Sequence, residues 1–220
     1  MDVLPVTVLV VAKAPVPGLA KTRLAASIGD AAAADVAAAA LLDTLDAVAA
    51  TPVAQRIVAF TGDLASAARA DELRGRLTSF TVVPQRGDDF AERLVYAHLD
   101  AAIGHPVLQI GMDTPQVTPE LLESCARELL ETAAVLGMAR DGGWWVLGVQ
   151  SAATAECLRD VPMSQSDTGA VTLAALRDTG AAVVLLPELA DVDTIDDVDA
   201  VRRACDPASR FTTATSAVGV

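Results

Sequence analysis

Lys13, Lys21 and Arg23 lie close together in a chain whose formal net charge is -13. They belong to VTVLVVAKAPVPGLAKTRL, Val6 to Leu24, together with Pro15, Pro17 and Gly18. Prolines restrict a backbone and glycine frees it, which suits a loop shaped to present side chains. Cations gathered on an acidic chain point to a local anion site, and a polyphosphate is the ligand expected there. A P-loop is excluded. It needs a glycine directly before its lysine and another five residues earlier, where this chain has Ala20 and Pro15. The dinucleotide fingerprint GxGxxG is absent as well, so cradling falls to side chains and the start of the following helix. A plain solvated loop is the alternative reading.

Acidic residues supply the second half of the chemistry. Asp113 closes the apolar run of QIGMDTP, and a carboxylate at a strand end can hold Mg²⁺ or Mn²⁺ with waters and substrate phosphates completing the shell. Asp before Thr and Pro is also ordinary turn chemistry. In DVDTIDDVDAV, Asp191 and Asp193 alternate along an extended segment and so face one side. Placing them beside Asp113 without a cation would cost repulsion, so their meeting would imply a metal. Thr194 with Asp197 reads as a capping box, and Asp196 and Asp197 as first-turn acids. Asp141, Gly142, Gly143 and Trp144 combine an acid, backbone freedom and a stacking surface suited to an acceptor, or else form a tight turn. Gln85, Gly87 and Arg93 would extend the pocket. His98 and His105 lack ligand spacing, and no GxSxG or Cys and His pairing signals covalent catalysis. The chemistry expected is metal-assisted transfer, with Asp113 and Lys21 at its centre and cations neutralising a phosphate leaving group.

These residues need a sheet to align them. Val6 to Ala12 is a continuous apolar run of the kind buried on both faces of a parallel sheet, and ligands bind outside the carboxyl ends of such strands. Further strands are expected at Arg56 to Thr61, Ser79 to Pro84, Val107 to Met112, Ala134 to Gly137, Trp144 to Val149 and Ala182 to Leu186. Helices are expected at Ala31 to Ala50 with Asp30 as N-cap, Leu64 to Leu77, Phe90 to Ile103, Pro119 to Thr132, Thr168 to Thr179 and Ile195 to Ala204, with a helical segment near Ala152 to Leu158. The strand at Trp144 follows too soon for a helical crossover, so it is antiparallel or at an edge. The fold class is α/β, with a mixed, mostly parallel sheet flanked by helices.

The chain has 220 residues with 52% hydrophobic content, enough for one substantial core, expected over residues 1–208 and followed by a disordered Ser- and Thr-rich tail at 209–220. The acidic balance excludes nucleic-acid binding by a basic face. Cys125, Cys157 and Cys205 are too scattered for disulfides or structural zinc, which suits a reduced, cytoplasmic setting. No apolar run reaches membrane-spanning length.

Five motifs, AKAPVPGLAKTRL, QRGDDFAERL, GMDTP, DGGWWVLG and DVDTIDD, occur in that order. Together they resemble a bacterial family of radical-SAM/selenodomain-associated transferases with the Rossmann-like nucleotide-diphospho-sugar transferase (GT-A) fold. More distantly the chain is similar to the 2-phospholactate, phosphoenolpyruvate and molybdenum-cofactor guanylyltransferases. The resemblance implies a single GT-A domain with a nucleotide or nucleotide-sugar bound across its first half. Phosphate contacts would come from Lys13, Gly18, Lys21, Arg23, Gln85 and Arg93, and metal contacts from Asp113, Asp191 and Asp193. A small-molecule acceptor would lie against Asp141, Gly142, Gly143 and Trp144. Trp144 stands where the family usually has Tyr, and Ala91 where it usually has Gly.

Overall fold

A computed structural model of the chain describes residues 2–219. Its strands are β1 (Leu4–Lys13), β2 (Val53–Thr61), β3 (Thr81–Pro84), β4 (Val107–Ile110), β5 (Ala134–Ala139), β6 (Trp144–Val149) and β7 (Val183–Leu189). They form one sheet in the order β3-β2-β1-β4-β6-β5-β7. β6 runs antiparallel to both its neighbours, while the other pairings are parallel. The carboxyl ends of six strands therefore share one edge. The helices are α1 (Thr22–Ile28), α2 (Asp30–Ala50), α3 (Ala70–Leu77), α4 (Phe90–Ala101), α5 (Pro119–Glu131), α6 (Thr168–Asp178), α7 (Ile195–Ala204) and α8 (Arg210–Ala217), with 3-10 segments at Leu64–Ser66 and Ala152–Asp160. This is the α/β architecture expected from the sequence.

The unbroken apolar run of β1 has a direct cause. Val8, Val10 and Ala12 enter a core with Leu41 and Leu45 of α2 and Leu122 and Leu129 of α5. Leu9 and Val11 enter another with Leu94 and Val95 of α4 and Leu176 of α6. Alternate side chains thus feed opposite faces, and both are covered. α2 is buried on most of its surface; its alanines bring it close to the sheet on one side and to the carboxyl-terminal helices on the other. There a third core joins Leu24 of α1, Val36 and Ala40 of α2, Val192 of the segment before α7, Val198 and Val201 of α7, and Phe211 of α8. It is this core that holds the basic loop and the late acidic segment against one another.

Three expectations are corrected. The helix expected at Leu64–Leu77 is divided, because Asp63 caps the 3-10 segment through Ala65 N and Arg69 adopts φ 52° ahead of α3. Gly29, at φ 85°, is the N-cap of α2, and Asp30 is its first helical residue behind a separate helix α1. β6 meets its expectation through the first of its two alternatives, being antiparallel to both neighbours inside the sheet. The tail is helical over Arg210–Ala217 and not disordered there, Val220 lying outside the described residues. Ser209 Oγ accepts from Thr212 N, the Asp43 carboxylate accepts from the backbone N–H groups of Arg210 and Phe211, and the Phe211 side chain is fully buried. Ser and Thr composition suggested disorder; one aromatic anchor and a carboxylate cap reverse it. Burial drives His98 down to about pKa 4, so it is a neutral residue of the core.

Candidate functional site

β1 and β4 are parallel neighbours, so Lys13 and Asp113 emerge at the same sheet edge. The two strand ends are stitched together by the Lys13 N–H, which lies 3.2 Å from Met112 Sδ. Beyond Lys13 the chain turns through Gly18, at φ 76°, and reaches Lys21 in the left-handed region at φ 48°, ψ 49°. From there the Lys21 ammonium donates to Asp113 Oδ2 at 2.6 Å and lies 3.7 Å from Asp193 Oδ1. Arg23 donates to Asp193 Oδ2 at 2.6 Å. Lys21 is sunk in the cleft, its side chain 12% exposed, while Arg23 reaches it from outside at 71%.

The acidic segment comes from three strands away, after β7. The Gln116 side-chain amide donates to the Ala190 carbonyl, and Arg140 N–H donates to Leu189 O at 3.0 Å, which draws the segment back across the sheet edge. Val192 is then buried in the third core. Because side chains alternate along extended backbone, Asp191 and Asp193 are turned the other way. The expected capping box is present: Asp197 accepts from the backbone N–H groups of Asp193 and Thr194 at 3.2 and 2.7 Å. Burial first, then the charges of Asp113 and Asp141, push the Asp191 carboxyl up to about pKa 6 against the opposing pull of Lys21. Burial acts in the opposite direction on Lys21, but the attraction of Asp113, aided by Asp193 and Asp191, outweighs it and raises that pKa.

One inference from sequence changes here. The meeting of Asp113, Asp191 and Asp193 does not itself require a metal, because the cation between them is the Lys21 ammonium. No group of three or more His, Cys, Asp or Glu among the described residues is spaced to hold a metal ion. The donor chemistry nevertheless fits Mg²⁺ or Mn²⁺. These ions need only one or two protein carboxylates, and Asp113 and Asp193 are hard oxygen donors already gathered on a cation.

The remaining candidates divide by what they hold. Lys13 is exposed and its ammonium donates to Leu19 O at 3.1 Å. The Gln85 amide nitrogen donates to Ala12 O and Ala59 O, both at 2.9 Å, and so clamps the ends of β1 and β2. Arg93 Nε donates to Gly87 O at 3.3 Å. Neither Gln85 nor Arg93 makes a hydrogen bond or ion pair to the Lys21 cluster among the described residues. Gly142 has φ 92°, and a Cβ there would lie 1.8 Å from Ser166 O. Gly169 N–H donates to Gly142 O at 2.8 Å, and Gly143 N–H to Asp141 Oδ1 at 2.7 Å. Contact with Ser166 therefore accounts for Gly142, while a Cβ on Gly143 would meet Asp141. Trp145 is buried, its indole N–H donating to Pro187 O, while Trp144 is half-buried against the second core. Asp141 is left as the exposed acid of this hairpin. Sequence reasoning missed Gln116 and Val192 as positioning residues; an apolar residue between two acids was the available sign for Val192, and Gln116 carried none.

A family profile described as "Uncharacterized protein conserved in bacteria (DUF2064)" matches residues 44–165. That span includes Gln85, Arg93, Asp113 and the Asp141 hairpin, and leaves outside it Lys13, Lys21, Arg23, Asp191 and Asp193. No curated protein matches the chain closely enough to count as a relative. Among solved structures, a candidate nucleotide-diphospho-sugar transferase from Desulfovibrio desulfuricans G20 has a TM-score of 0.85 at 24% identity, with 99% of this chain and 95% of that one covered. CMP:2-keto-3-deoxy-manno-octonic acid synthetase complexed with CTP has a TM-score of 0.56 at 12% identity, covering 96% of this chain and 99% of its own. A Mycobacterium tuberculosis H37Rv protein complexed with manganese has a TM-score of 0.55 at 19% identity, covering 90% and 97%. These likenesses show the fold. No helix among the described residues is long and apolar enough to cross a membrane.

Proposed function

The chain belongs to the bacterial family DUF2064, and from the fold it shares with a candidate nucleotide-diphospho-sugar transferase and the chemistry of the cleft we propose a metal-dependent transferase that uses a nucleotide-activated donor, a nucleoside-diphosphate sugar in the leading reading. The observation that carries it is Lys21, held 2.6 Å from Asp113 at the carboxyl edge shared by β1 and β4. An anion-binding group and a cation-binding group lie there in contact, as a metal–phosphate ligand requires. Asp113 and Asp193, with Asp191 beside them, are the residues that would hold Mg²⁺ or Mn²⁺. When bound, such an ion neutralises charge developing on a leaving phosphate. Lys21 and Arg23 bind phosphate oxygens, Lys13 adds charge at the end of β1, and Gly18 gives the loop its turn. Gln85 and Arg93 shape the wall between the ends of β1, β2 and α4. The Asp141 to Trp144 hairpin faces the acceptor, where the Asp141 carboxylate can accept a hydrogen bond from a hydroxyl.

A second reading is nucleotidyl transfer from an NTP to a small phosphorylated acceptor, favoured by the fold shared with a CTP-binding synthetase. The radical-SAM association implied by the resemblance forms no part of this proposal, since no residue here argues for it. Incubation with Mg²⁺, NDP-sugars and small acceptors should release NDP; release of pyrophosphate from an NTP would select the second reading. Nucleotide binding with neither product across a broad panel would leave a binding module without turnover.

A further inference from the structure

The groups expected to grip phosphate and those expected to grip metal neutralise one another in this structure. Lys21 sits on Asp113 and Asp193, and Arg23 on Asp193. A divalent ion attracted to those carboxylates meets an ammonium already in place, 12% exposed and in direct hydrogen-bond contact. We propose that Lys21 is an exchangeable internal counter-ion: it holds the cleft carboxylates in the ligand-free protein, a divalent cation displaces it, and the released ammonium becomes the phosphate ligand. The metal role of the carboxylates rests on the functional reading above; the exchange concerns the chain's own lysine.

Three observations carry this further than proximity. The two carboxylates converge on one nitrogen from segments far apart in sequence, Asp113 after β4 and Asp193 after β7. Lys21 also holds a left-handed backbone conformation at φ 48° that non-glycine residues seldom adopt, and such conformations persist only where surroundings over-determine them. Finally, the acids outnumber the cations around Lys21, with Asp191 and Asp141 also within electrostatic reach of the cluster. A unit charge there compensates only partly, and a divalent ion compensates better. Displacing Lys21 has an electrostatic cost, so the metal alone should bind weakly. Phosphates that receive the freed ammonium offset that cost, so metal and nucleotide should strengthen one another's binding.

The test needs no nucleotide. Binding of Mn²⁺ alone, followed by electron paramagnetic resonance of the free ion, is compared in the wild-type chain, Lys21→Met and Lys21→Arg. With the competing charge gone, Lys21→Met should bind Mn²⁺ at least about tenfold more tightly, while Lys21→Arg stays near wild type. Equal or weaker binding by folded Lys21→Met overturns the proposal. Should Lys21→Met fail to fold, the wild-type chain decides. Its only lysines are Lys13 and Lys21, so amine acetylation read by mass spectrometry reports each separately. Lys21 should react more slowly than exposed Lys13, and Mn²⁺ should speed Lys21 selectively, unlike KCl of matched ionic strength. A Lys21 rate unchanged or slowed by Mn²⁺ overturns the exchange. A protein that passes these tests yet binds no nucleotide keeps the exchange and loses the transferase reading.

Discussion

Two networks in this molecule use the same ion-pair chemistry to different ends. At the tail, Arg210 bridges Asp43 and Asp46 at 3.1 and 2.6 Å, Arg76 joins Asp46, and Arg69 forks onto Asp35 at 2.7 and 2.8 Å. In the cleft, Lys21 and Arg23 face Asp113, Asp193, Asp191 and Asp141. At the tail the bases gain from the arrangement. Hydrogen bonding to Asp35 raises the Arg69 pKa, and the pairs to Asp46 and Asp43 raise that of Arg210 despite its burial. In the cleft an acid carries the cost, with Asp191 driven up to about 6, chiefly by burial and its acidic neighbours. Matched charge fastens a helix; unmatched charge reserves a place for a ligand.

Phe211→Ala should break the tail side most severely. The ring is fully buried, and its loss should cost about 3–5 kcal/mol of unfolding free energy in denaturant titration. Phe211 shares the third core with Leu24 and Val192, so Mn²⁺ affinity of the folded fraction should fall as well; unchanged affinity would mean that this core does not hold the two sides of the cleft together. Arg210→Ala should cost less, about 1–2 kcal/mol, because a side chain that is 35% exposed is screened by solvent.

Asp191→Asn should act in the opposite direction. A carboxyl raised from 3.8 to about 6 in the folded state binds its proton more tightly there than when unfolded. Stability is therefore favoured at low pH and lost as pH rises through about 6. Discounted for partial exposure, the substitution should stabilise the metal-free protein by about 1–2 kcal/mol at pH 8, with a much smaller gain near pH 4. Denaturant unfolding at the two pH values measures it, and an equal gain at both would remove the electrostatic explanation. Arg23→Ala should have the smallest effect on stability, under about 0.5 kcal/mol, because its side chain is 71% exposed. It should still weaken nucleotide binding severalfold in calorimetry.

The sequence made β1 legible because a strand covered on both faces must be apolar without interruption, and Lys13, Lys21, Arg23 and Asp113 stood out as candidates because charge is conspicuous beside such a strand; of these, Lys13 turns to Leu19 O and does not join the cluster. Thr194 and Asp197 were readable because a capping box is local. What was hidden depended on distance along the chain. Nothing near Lys21 says that its partner is Asp113, or that Gln116 draws Ala190 across the sheet edge. The Asp141 hairpin was partly legible for a related reason: the turn at Gly142 and Gly143 is readable in sequence, but the contact of Gly142 with Ser166 is not. The helical tail followed the same rule, since Asp43, which caps it, lies in α2.

The central claim is that the Lys21 and Asp113 cluster is one site for a metal–nucleotide ligand. Isothermal titration of a nucleotide panel with and without Mg²⁺, on the wild-type chain, Lys21→Met and Asp113→Asn, tests it most directly. The account predicts binding that depends on Mg²⁺ and falls at least about tenfold in both variants, each still folded. Nucleotide affinity that ignores Mg²⁺, or that survives both substitutions unchanged, would contradict it.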